Sequence, residues 1–117
     1  MTAFWLVLGF LAAPEPQDAG ARAFQRCAAC HAVAPGRDGF AGPALRGVVD
    51  RRAGSAPGFA YSDAMRAAGR AGLVWDRPTL ERYLADPEAV VPGTTMPFQG
   101  GPASERAAVI DYLQRSR

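Results

Sequence analysis

One five-residue stretch, Cys27-Ala28-Ala29-Cys30-His31, limits what this 117-residue chain can fold into, and His31 is its only histidine. On one turn of helix the two thiols face the same way, and the imidazole follows directly after them. Two such thiols can each form a thioether with a vinyl group of haem, while the imidazole reaches the iron. The stretch is the attachment sequence of a c-type haem, and it predicts a chain wrapped around that cofactor.

Two other interpretations of the cysteine pair stay open on these residues alone. Cys27 and Cys30 could form a disulfide or a thioredoxin-like redox pair, but such a pair is typical of a βαβ pattern, which the surrounding sequence lacks. They could also supply half of a zinc site, yet the chain has no second Cys or His pair that would complete four ligands.

Chain length and charge further restrict the classes of protein to which this sequence can belong. A chain of 117 residues forms one domain at most, so its own apolar core is small and a buried porphyrin would belong to that core. All 13 basic residues are arginine, 11 residues are acidic, and the formal net charge is +2. Because charges of both signs are interleaved along the whole chain, the sequence argues against a nucleic-acid-binding protein, which would have a clustered basic face.

Residues 3–13 form an uninterrupted apolar run that is followed by Pro14-Glu15-Pro16. A helix of that length crosses only about half of a bilayer core, so the run is too short for a transmembrane helix. We interpret residues 1–13 as a signal peptide or a short membrane anchor, with a buried core helix as the third alternative. A signal peptide predicts export to the bacterial periplasm, and residues 14–17 would then link it to a domain of residues 18–117.

Helical spacing marks the two ends of this domain. Asp18 can cap a helix that runs into the haem motif, and Gly20 in its first turns indicates close approach by another backbone. A last helix that begins near Pro102 and runs through Leu113 has its apolar residues at helical spacing and can supply that backbone. The first and last helices are therefore predicted to cross.

A short helix is predicted in the middle of the chain. It begins at Ser62 or Asp63, both of which are good capping residues, and it runs through Met65. Its end is predicted at Ala68, because two glycines follow closely. These glycines, Gly69 and Gly72, are typical of the residues that terminate helices.

A better helix follows at Asp76, which caps it, with Pro78 in its first turn and Asp86-Pro87 as its end. Residues 31–58, in contrast, are rich in Gly and Pro and show no alternation of apolar and polar residues. That composition predicts an ordered loop without strands. The predicted fold class is therefore all-α, with short helices joined by ordered loops.

From residue 18 to residue 117 the order of landmarks resembles class I cytochromes c, the family of mitochondrial cytochrome c and its bacterial periplasmic relatives. The landmarks are, in chain order, Gly20, Phe24, the Cys27–His31 motif, Gly42-Pro43, residues 57–63, Trp75, Tyr83-Leu84 and residues 92–96. The resemblance implies a small class I cytochrome c fold, in which the helices and loops surround one covalently attached haem c.

The resemblance also implies which residues reach the iron. Cys27 and Cys30 would hold the haem by thioethers, and His31 and Met96 would ligate the iron from its two sides. Since there is one histidine, ligation by two histidines of one chain is impossible. Met65 is the other internal thioether, but a core position on the short helix is an ordinary explanation for it. An imidazole and a soft thioether together would favour ferrous iron.

Other residues match positions that surround the haem in that family. The Pro43 carbonyl would accept a hydrogen bond from the ring nitrogen of His31 that does not bind the iron. Tyr83 and Thr94 would hold the segment that carries Met96. The haem propionates would be bound or neutralised by Arg51, Tyr61 and Trp75. For the two bulky aromatic residues of this set, Tyr83 and Trp75, plain filling of the core is the alternative.

The implied function is that of a single-electron carrier in a respiratory or photosynthetic type of electron transport chain. Six-coordinate iron leaves no position for a substrate, so the chain would not be an enzyme. Redox proteins would dock transiently at the haem edge near Arg26, and the protein would act as a monomer. Glu88-Ala89 stands where the family has a basic pair, which makes this docking face less positive.

Two alternatives to the mobile carrier remain. One is a haem enzyme or gas-binding sensor in which Met96 is absent from the iron or easily displaced. The other is an immobile cytochrome subunit that residues 3–13 hold in a larger membrane complex. Binding of carbon monoxide distinguishes the first alternative from a carrier, and the mature N-terminus distinguishes the second.

Overall fold

The computed structural model describes Gly9 and residues 18–33, 41–97 and 101–116. Five helices lie in these ranges: α1 (Ala19–Phe24), α2 (Asp63–Arg70), α3 (Arg77–Ala85), α4 (Pro87–Val90) and α5 (Ala103–Arg115). A single antiparallel bridge joins Arg52 and Val74, and no strand occurs in the described ranges, so the all-α prediction is confirmed. The predicted signal peptide or anchor, residues 1–13, and the linker, residues 14–17, lie outside the described residues except for Gly9.

Side chains that the sequence identifies as caps begin three of the helices. The Asp18 carboxylate accepts a hydrogen bond of 2.8 Å from the Ala21 N–H at the start of α1. The Asp76 carboxylate accepts one of 2.9 Å from the Thr79 N–H at the start of α3. The Ser62 hydroxyl accepts one of 3.2 Å from the backbone of α2. Each cap satisfies an N–H group that has no partner within its own helix.

None of the helices in the described part of the chain has the length and apolarity needed to cross a membrane.

The first helix is shorter than predicted, because α1 ends at Phe24 and does not run into the cysteine motif. Beyond it the chain continues in tighter turns, in which the Cys27 N–H donates to the Phe24 carbonyl at 2.8 Å and the Cys30 N–H donates to the Cys27 carbonyl at 3.0 Å. These bonds span three residues, as in a 3₁₀ turn, whereas the His31 N–H donates to the Cys27 carbonyl at 2.9 Å across four residues, as in an α-helix. The cysteine motif therefore follows α1 as a series of hydrogen-bonded turns.

The prediction that Gly69 ends the second helix is wrong, since α2 continues to Arg70. Gly69 is buried, and a Cβ atom there would lie 2.1 Å from the carbonyl oxygen of Ala53. The residue thus allows a loop to pack against the helix. The turn away from the helix comes at Gly72, whose φ is +95° and which follows the C-cap residue Ala71.

The third helix ends at Ala85 as the sequence predicts, but the chain then forms a further helical turn, α4, that the sequence analysis missed. Pro87 occupies the first helical position of α4, where its fixed φ fits and its missing N–H costs nothing. Pro87 is buried and Val91, just after α4, is 1% exposed. This turn therefore anchors the start of the segment that leads to Met96.

The predicted crossing of the first and last helices is present. Gly20 of α1 lies against α5, and the rings of Phe24 and Tyr112 are 5.1 Å apart between centroids. Residues from α1, α3 and α5 and from the loops between the helices form one buried cluster. Its members are Phe24, Val48, Val49, Ala53, Trp75, Leu80, Tyr83, Leu84, Val91, Val109, Ile110 and Leu113.

The loop between α1 and α2 is ordered where the structure describes it, in residues 31–33 and 41–62; residues 34–40 of the predicted loop lie outside the described ranges. Its backbone pairs with the segment before α3. The Asp50 N–H donates to the Trp75 carbonyl, the Trp75 N–H donates to the Arg51 carbonyl and the Ala53 N–H donates to the Leu73 carbonyl, each at 2.8 Å. These bonds bring Arg51 and Trp75 to the same part of the molecule.

We expect Gly20→Ala to destabilise the protein although alanine is the better helix former. The added Cβ would lie 2.5 Å from the Ala108 carbonyl oxygen and 2.8 Å from Tyr112 Cβ. Overpacking of this kind costs about 1–3 kcal/mol or more, which exceeds the gain of about 1 kcal/mol from helix propensity. Urea unfolding followed by circular dichroism measures the change in the free energy of unfolding.

Ala19→Ser is the matched control, because Ala19 lies on the same helix and is exposed. That variant should stay within about 0.5 kcal/mol of the wild type. A Gly20→Ala protein that is as stable as the control would contradict the close packing of α1 on α5.

Candidate haem-binding site

The two cysteines of the motif form no disulfide with each other in the structure. Cys27 is half-buried and packs at the edge of the core, whereas Cys30 is exposed. Burial raises the pKa of the Cys27 thiol, and the neighbouring Cys30 adds to this effect. No group of three or more His, Cys, Asp or Glu residues that could hold a metal ion occurs among the described residues, so a zinc site finds no further ligands there.

His31 is held from one side by Pro43, in the loop between α1 and α2. Its Nδ1 atom lies 2.7 Å from the carbonyl oxygen of Pro43. A carbonyl can only accept, so Nδ1 carries the proton and Nε2 is left with its lone pair. Burial lowers the pKa of His31, an effect that the Pro43 carbonyl partly opposes, and the ring is therefore neutral near pH 7. A neutral imidazole with an available nitrogen is a suitable ligand for iron.

The residues predicted around the second iron ligand, Met96, are linked through hydroxyl groups. The Tyr83 hydroxyl lies 2.7 Å from Thr94 Oγ1, and the Met96 N–H donates to the same Thr94 oxygen at 3.3 Å. Burial raises the pKa of Tyr83, whereas its hydrogen bond to Thr94 acts in the opposite direction. The Tyr83 ring packs on Trp75 with 4.8 Å between centroids. Met96 is half-buried against the core, and so is the alternative thioether, Met65.

Arg51 has the one described buried side-chain atom without a hydrogen-bond partner, its Nε. The two terminal nitrogens of this guanidinium donate to the carbonyls of Arg46 and Ala44, both at 3.2 Å. A buried, unpaired N–H on the half-buried Arg51 cation is the feature that a buried carboxylate would satisfy. The donor set therefore fits a haem with its propionates at this position. The two carbonyl partners were not found from the sequence, since no local pattern links them to Arg51.

The two other residues predicted near the propionates differ in their surroundings. The Tyr61 hydroxyl accepts a hydrogen bond of 2.9 Å from the Ala56 N–H, which leaves its own proton to be donated. Trp75 is 7% exposed and joins the core cluster, and its backbone is paired with that of Arg51. The structure thus brings Arg51 and Trp75 together, and it gives Trp75 a clear packing role as well.

Arg26, which we expected to be an exposed docking charge, is paired with Glu105 of α5 at 2.9 Å. Both side chains remain partly exposed, at 56% for Arg26 and 37% for Glu105. A second ion pair of 2.7 Å joins Arg106 of α5 to Glu81 of α3. Sequence analysis missed both pairs, because residues 79 and 25 positions apart in the chain carry no shared pattern. The positive charge before the motif is therefore partly compensated.

Comparisons with known proteins find similar proteins over most of the chain. A family model described as Cytochrome c matches residues 17–117. Cytochrome c2 of Rhodoblastus acidophilus is 46% identical over 99 residues, which is 84% of this chain and 90% of that protein. Cytochrome c2 iso-2 of Magnetospirillum fulvum is 50% identical over 94 residues, or 79% of this chain and 93% of that one. The solved structure of cytochrome c2 from Rhodospirillum centenum is similar with a TM-score of 0.77 and 40% identity over 83% of this chain and 94% of that chain.

We expect Tyr83→Phe to change how stability depends on pH. Burial raises the pKa of Tyr83 above that of an unfolded tyrosine, about 10. The unfolded chain therefore loses this proton first as the pH rises, and the stability that the neutral hydroxyl contributes is lost from about pH 10 upward. Phenylalanine removes this loss while its ring still packs on Trp75. Urea unfolding of the two proteins from about pH 8 to pH 11 measures the difference.

The variant should also lose about 1 kcal/mol near pH 7, because the hydrogen bond to Thr94 is absent. Its stability should then fall less steeply than that of the wild type above about pH 10. Parallel curves across the whole range would contradict the burial of the hydroxyl.

Proposed function

The chain belongs to the cytochrome c family, as a single-electron carrier with one covalently bound haem c, and on this premise we propose which residues hold that haem. Cys27 and Cys30 form its thioethers, and His31 and Met96 ligate the iron. Its cytochrome c2 relatives are electron carriers and not enzymes, and the chain is likewise not an enzyme. When bound, the haem supplies a one-electron couple of ferrous and ferric iron. The residues of the chain attach it, fix its orientation and exclude water from it.

The observation that carries the proposal is the hydrogen bond between His31 Nδ1 and the Pro43 carbonyl, at 2.7 Å. It fixes the tautomer, so that Nε2 is the nitrogen available to the iron. It also restrains the rotation of the ring and makes the imidazole more electron-rich. Burial keeps the pKa of His31 low, so protonation does not compete with ligation near neutral pH.

The second ligand, Met96, is supported by its own neighbours. Thr94 accepts from the Met96 backbone and is itself held by the buried Tyr83 hydroxyl. A thioether is a soft ligand that binds ferrous iron better than ferric iron, so it raises the reduction potential. With His31 and Met96 both bound to the iron, no position on it would remain free for small molecules. Met65 lacks this framework, since it lies on α2 and packs against the core cluster.

Arg51 and Tyr61 bind the propionates in this proposal. The Arg51 Nε is buried and unpaired among the described residues, and Tyr61 keeps a proton that it can donate. Two carboxylates that enter a small protein core need such donors, because an uncompensated buried charge is costly. Trp75 positions Arg51 through the paired backbone and closes the core on that side.

As a carrier the protein exchanges electrons with redox partners, and we propose that they dock at the haem edge near Arg26. The pairing of Arg26 with Glu105 supports a weakly charged docking face and brief encounters. We also propose a monomer that is exported to the periplasm after cleavage of residues 1–13. Retention of these residues would instead give a membrane-held cytochrome, and the mature N-terminus determined by mass spectrometry distinguishes the two.

The proposed ligation predicts that Met96→Ala binds carbon monoxide rapidly in the ferrous state, whereas the wild type binds it slowly or not at all. The same change should lower the reduction potential, because the preference of the thioether for ferrous iron is lost. Flash photolysis and redox titration of the purified holoprotein measure the two effects.

Met65→Leu is the matched control, since it removes the other internal thioether and keeps a similar volume. It should bind carbon monoxide as slowly as the wild type. A wild type that reacts as fast as Met96→Ala would favour a gas-binding sensor or haem enzyme. Fast reaction of Met65→Leu would transfer the ligand role to Met65.

The paired docking charges predict a weak dependence of electron transfer on salt. Oxidation of the reduced protein by ferricyanide, a small anionic oxidant, should slow only slightly as ionic strength rises, less than for a lysine-rich relative. Glu105→Gln should steepen this fall, because it removes the charge that compensates Arg26. Stopped-flow measurements test both statements, and a steep fall in the wild type would contradict the compensated face.

A further inference from the structure

Glu88 makes a contact that the exchange of electrons does not require. Its carboxylate Oε1 accepts a hydrogen bond of 2.8 Å from the backbone N–H of Gly93. Glu88 belongs to the single turn of α4, and Gly93 lies five residues later on the segment that leads to Met96. The resemblance assigned this position a role in partner docking, as a charge that differs from the basic residue of the family. The structure shows instead a contact within the protein.

The local backbone explains why the Gly93 N–H needs a partner. The Thr94 N–H donates to the Val91 carbonyl at 2.9 Å, and Gly93 has a φ of +83°. With Pro92 between them, this is the arrangement of a type II turn, which has proline second and glycine third. The N–H of the third residue takes no part in the hydrogen bond that closes the turn. Glu88 supplies its acceptor.

The two ends of this contact differ in how firmly they are held. On the side of Glu88, Pro87 is buried, Val91 is 1% exposed, and the Val91 N–H donates to the Pro87 carbonyl at 2.9 Å. On the other side, residues 93–97 form no regular structure, and Met96 is held by the Thr94 oxygen at 3.3 Å. The hydrogen bond thus ties an irregular segment to a buried turn.

The same region is open to solvent. Glu88, Thr94 and Met96 line one depression of the surface, together with Asp86, Pro87 and Pro97. A small ligand that approaches from this side competes with the thioether, and the segment must move for Met96 to leave. Two hydrogen bonds restrain the segment. The bond between Thr94 and Tyr83 lies on its buried side, and the bond between Glu88 and Gly93 lies on its exposed side.

We propose that Glu88 is a positioning residue that keeps Met96 at the iron by accepting the Gly93 N–H and so holding the Pro92-Gly93 turn against α4. This role rests on the proposed ligation by Met96. It assigns Glu88 to ligand retention through its oxygen atom, and it does not require the negative charge. The residue therefore limits how often the segment opens and how fast outside ligands reach the iron.

Two measurements on the holoprotein test the role, with free imidazole as the probe. Imidazole binds ferric iron when Met96 leaves, so its association rate in stopped flow reports the opening of the segment. Glu88→Ala should bind imidazole about five times faster than the wild type, since loss of one net hydrogen bond changes an equilibrium by about that factor. Amide hydrogen exchange at Gly93 should rise by a similar factor, and this measurement does not involve the iron.

Glu88→Gln separates the hydrogen bond from the charge, because its side-chain carbonyl can still accept from Gly93. It should remain close to the wild type in both measurements. Asp111→Asn, which removes a negative charge from α5, controls for net charge and should change neither. If Glu88→Gln behaves like Glu88→Ala, or if Glu88→Ala exchanges Gly93 at the wild-type rate, the proposal is overturned.

Failure of the ligation itself would be recognised separately. Ferric protein with a bound methionine shows a weak sulfur-to-iron charge-transfer band at long wavelength. Absence of that band from the wild type would overturn ligation by Met96 and the retention role with it. Presence of the band together with unchanged imidazole binding and Gly93 exchange in Glu88→Ala would overturn the role of Glu88 alone.

Discussion

The close contact of α1 with α5 is the constraint on which the haem site depends. At Gly20 no Cβ separates the helix from the Ala108 carbonyl, and one turn later Phe24 packs on Tyr112. The cysteine motif begins three residues after Phe24, so the packing of these two helices fixes where the thiols start. A covalent cofactor tolerates little error in that start, because both thioethers and the histidine must meet one porphyrin at the same time.

The helices hold the attachment side, whereas loops carry the groups that complete the site. Pro43 reaches His31 from the loop after α1, and Met96 lies on the segment after α4. Loop backbone is positioned by hydrogen bonds more than by periodic packing, and here the bonds are made to the buried elements beside each loop. The buried Tyr83 serves both purposes, since its ring fills the core while its hydroxyl binds Thr94.

Sequence could identify the residues at the site better than the contacts between them. The caps at Asp18 and Asp76 and the all-α class follow from local patterns, and they were predicted correctly. Gly69 was misread because a glycine has two uses, as a helix end and as a place without a Cβ, and only the position of Ala53 decides between them. The partners of Arg51 and Glu88 were missed for a related reason. Every residue type offers the same backbone carbonyl, and nearly every type the same N–H, so the sequence does not show which backbone atom a side chain will bind.

The same reasoning applies to the charges, whose effect cannot be counted from composition. Ion pairs join α5 to Asp18, Arg26, Arg77 and Glu81, so several arginines face a carboxylate of this chain. Most of these side chains are well exposed, and such pairs contribute about 1 kcal/mol or less to stability. Their larger effect is on the field outside the protein, because a paired cation and anion attract a distant partner far less than a free cation does. At the proposed docking face recognition would then depend on shape, and an approaching partner would sense the charge of the protein only at short range.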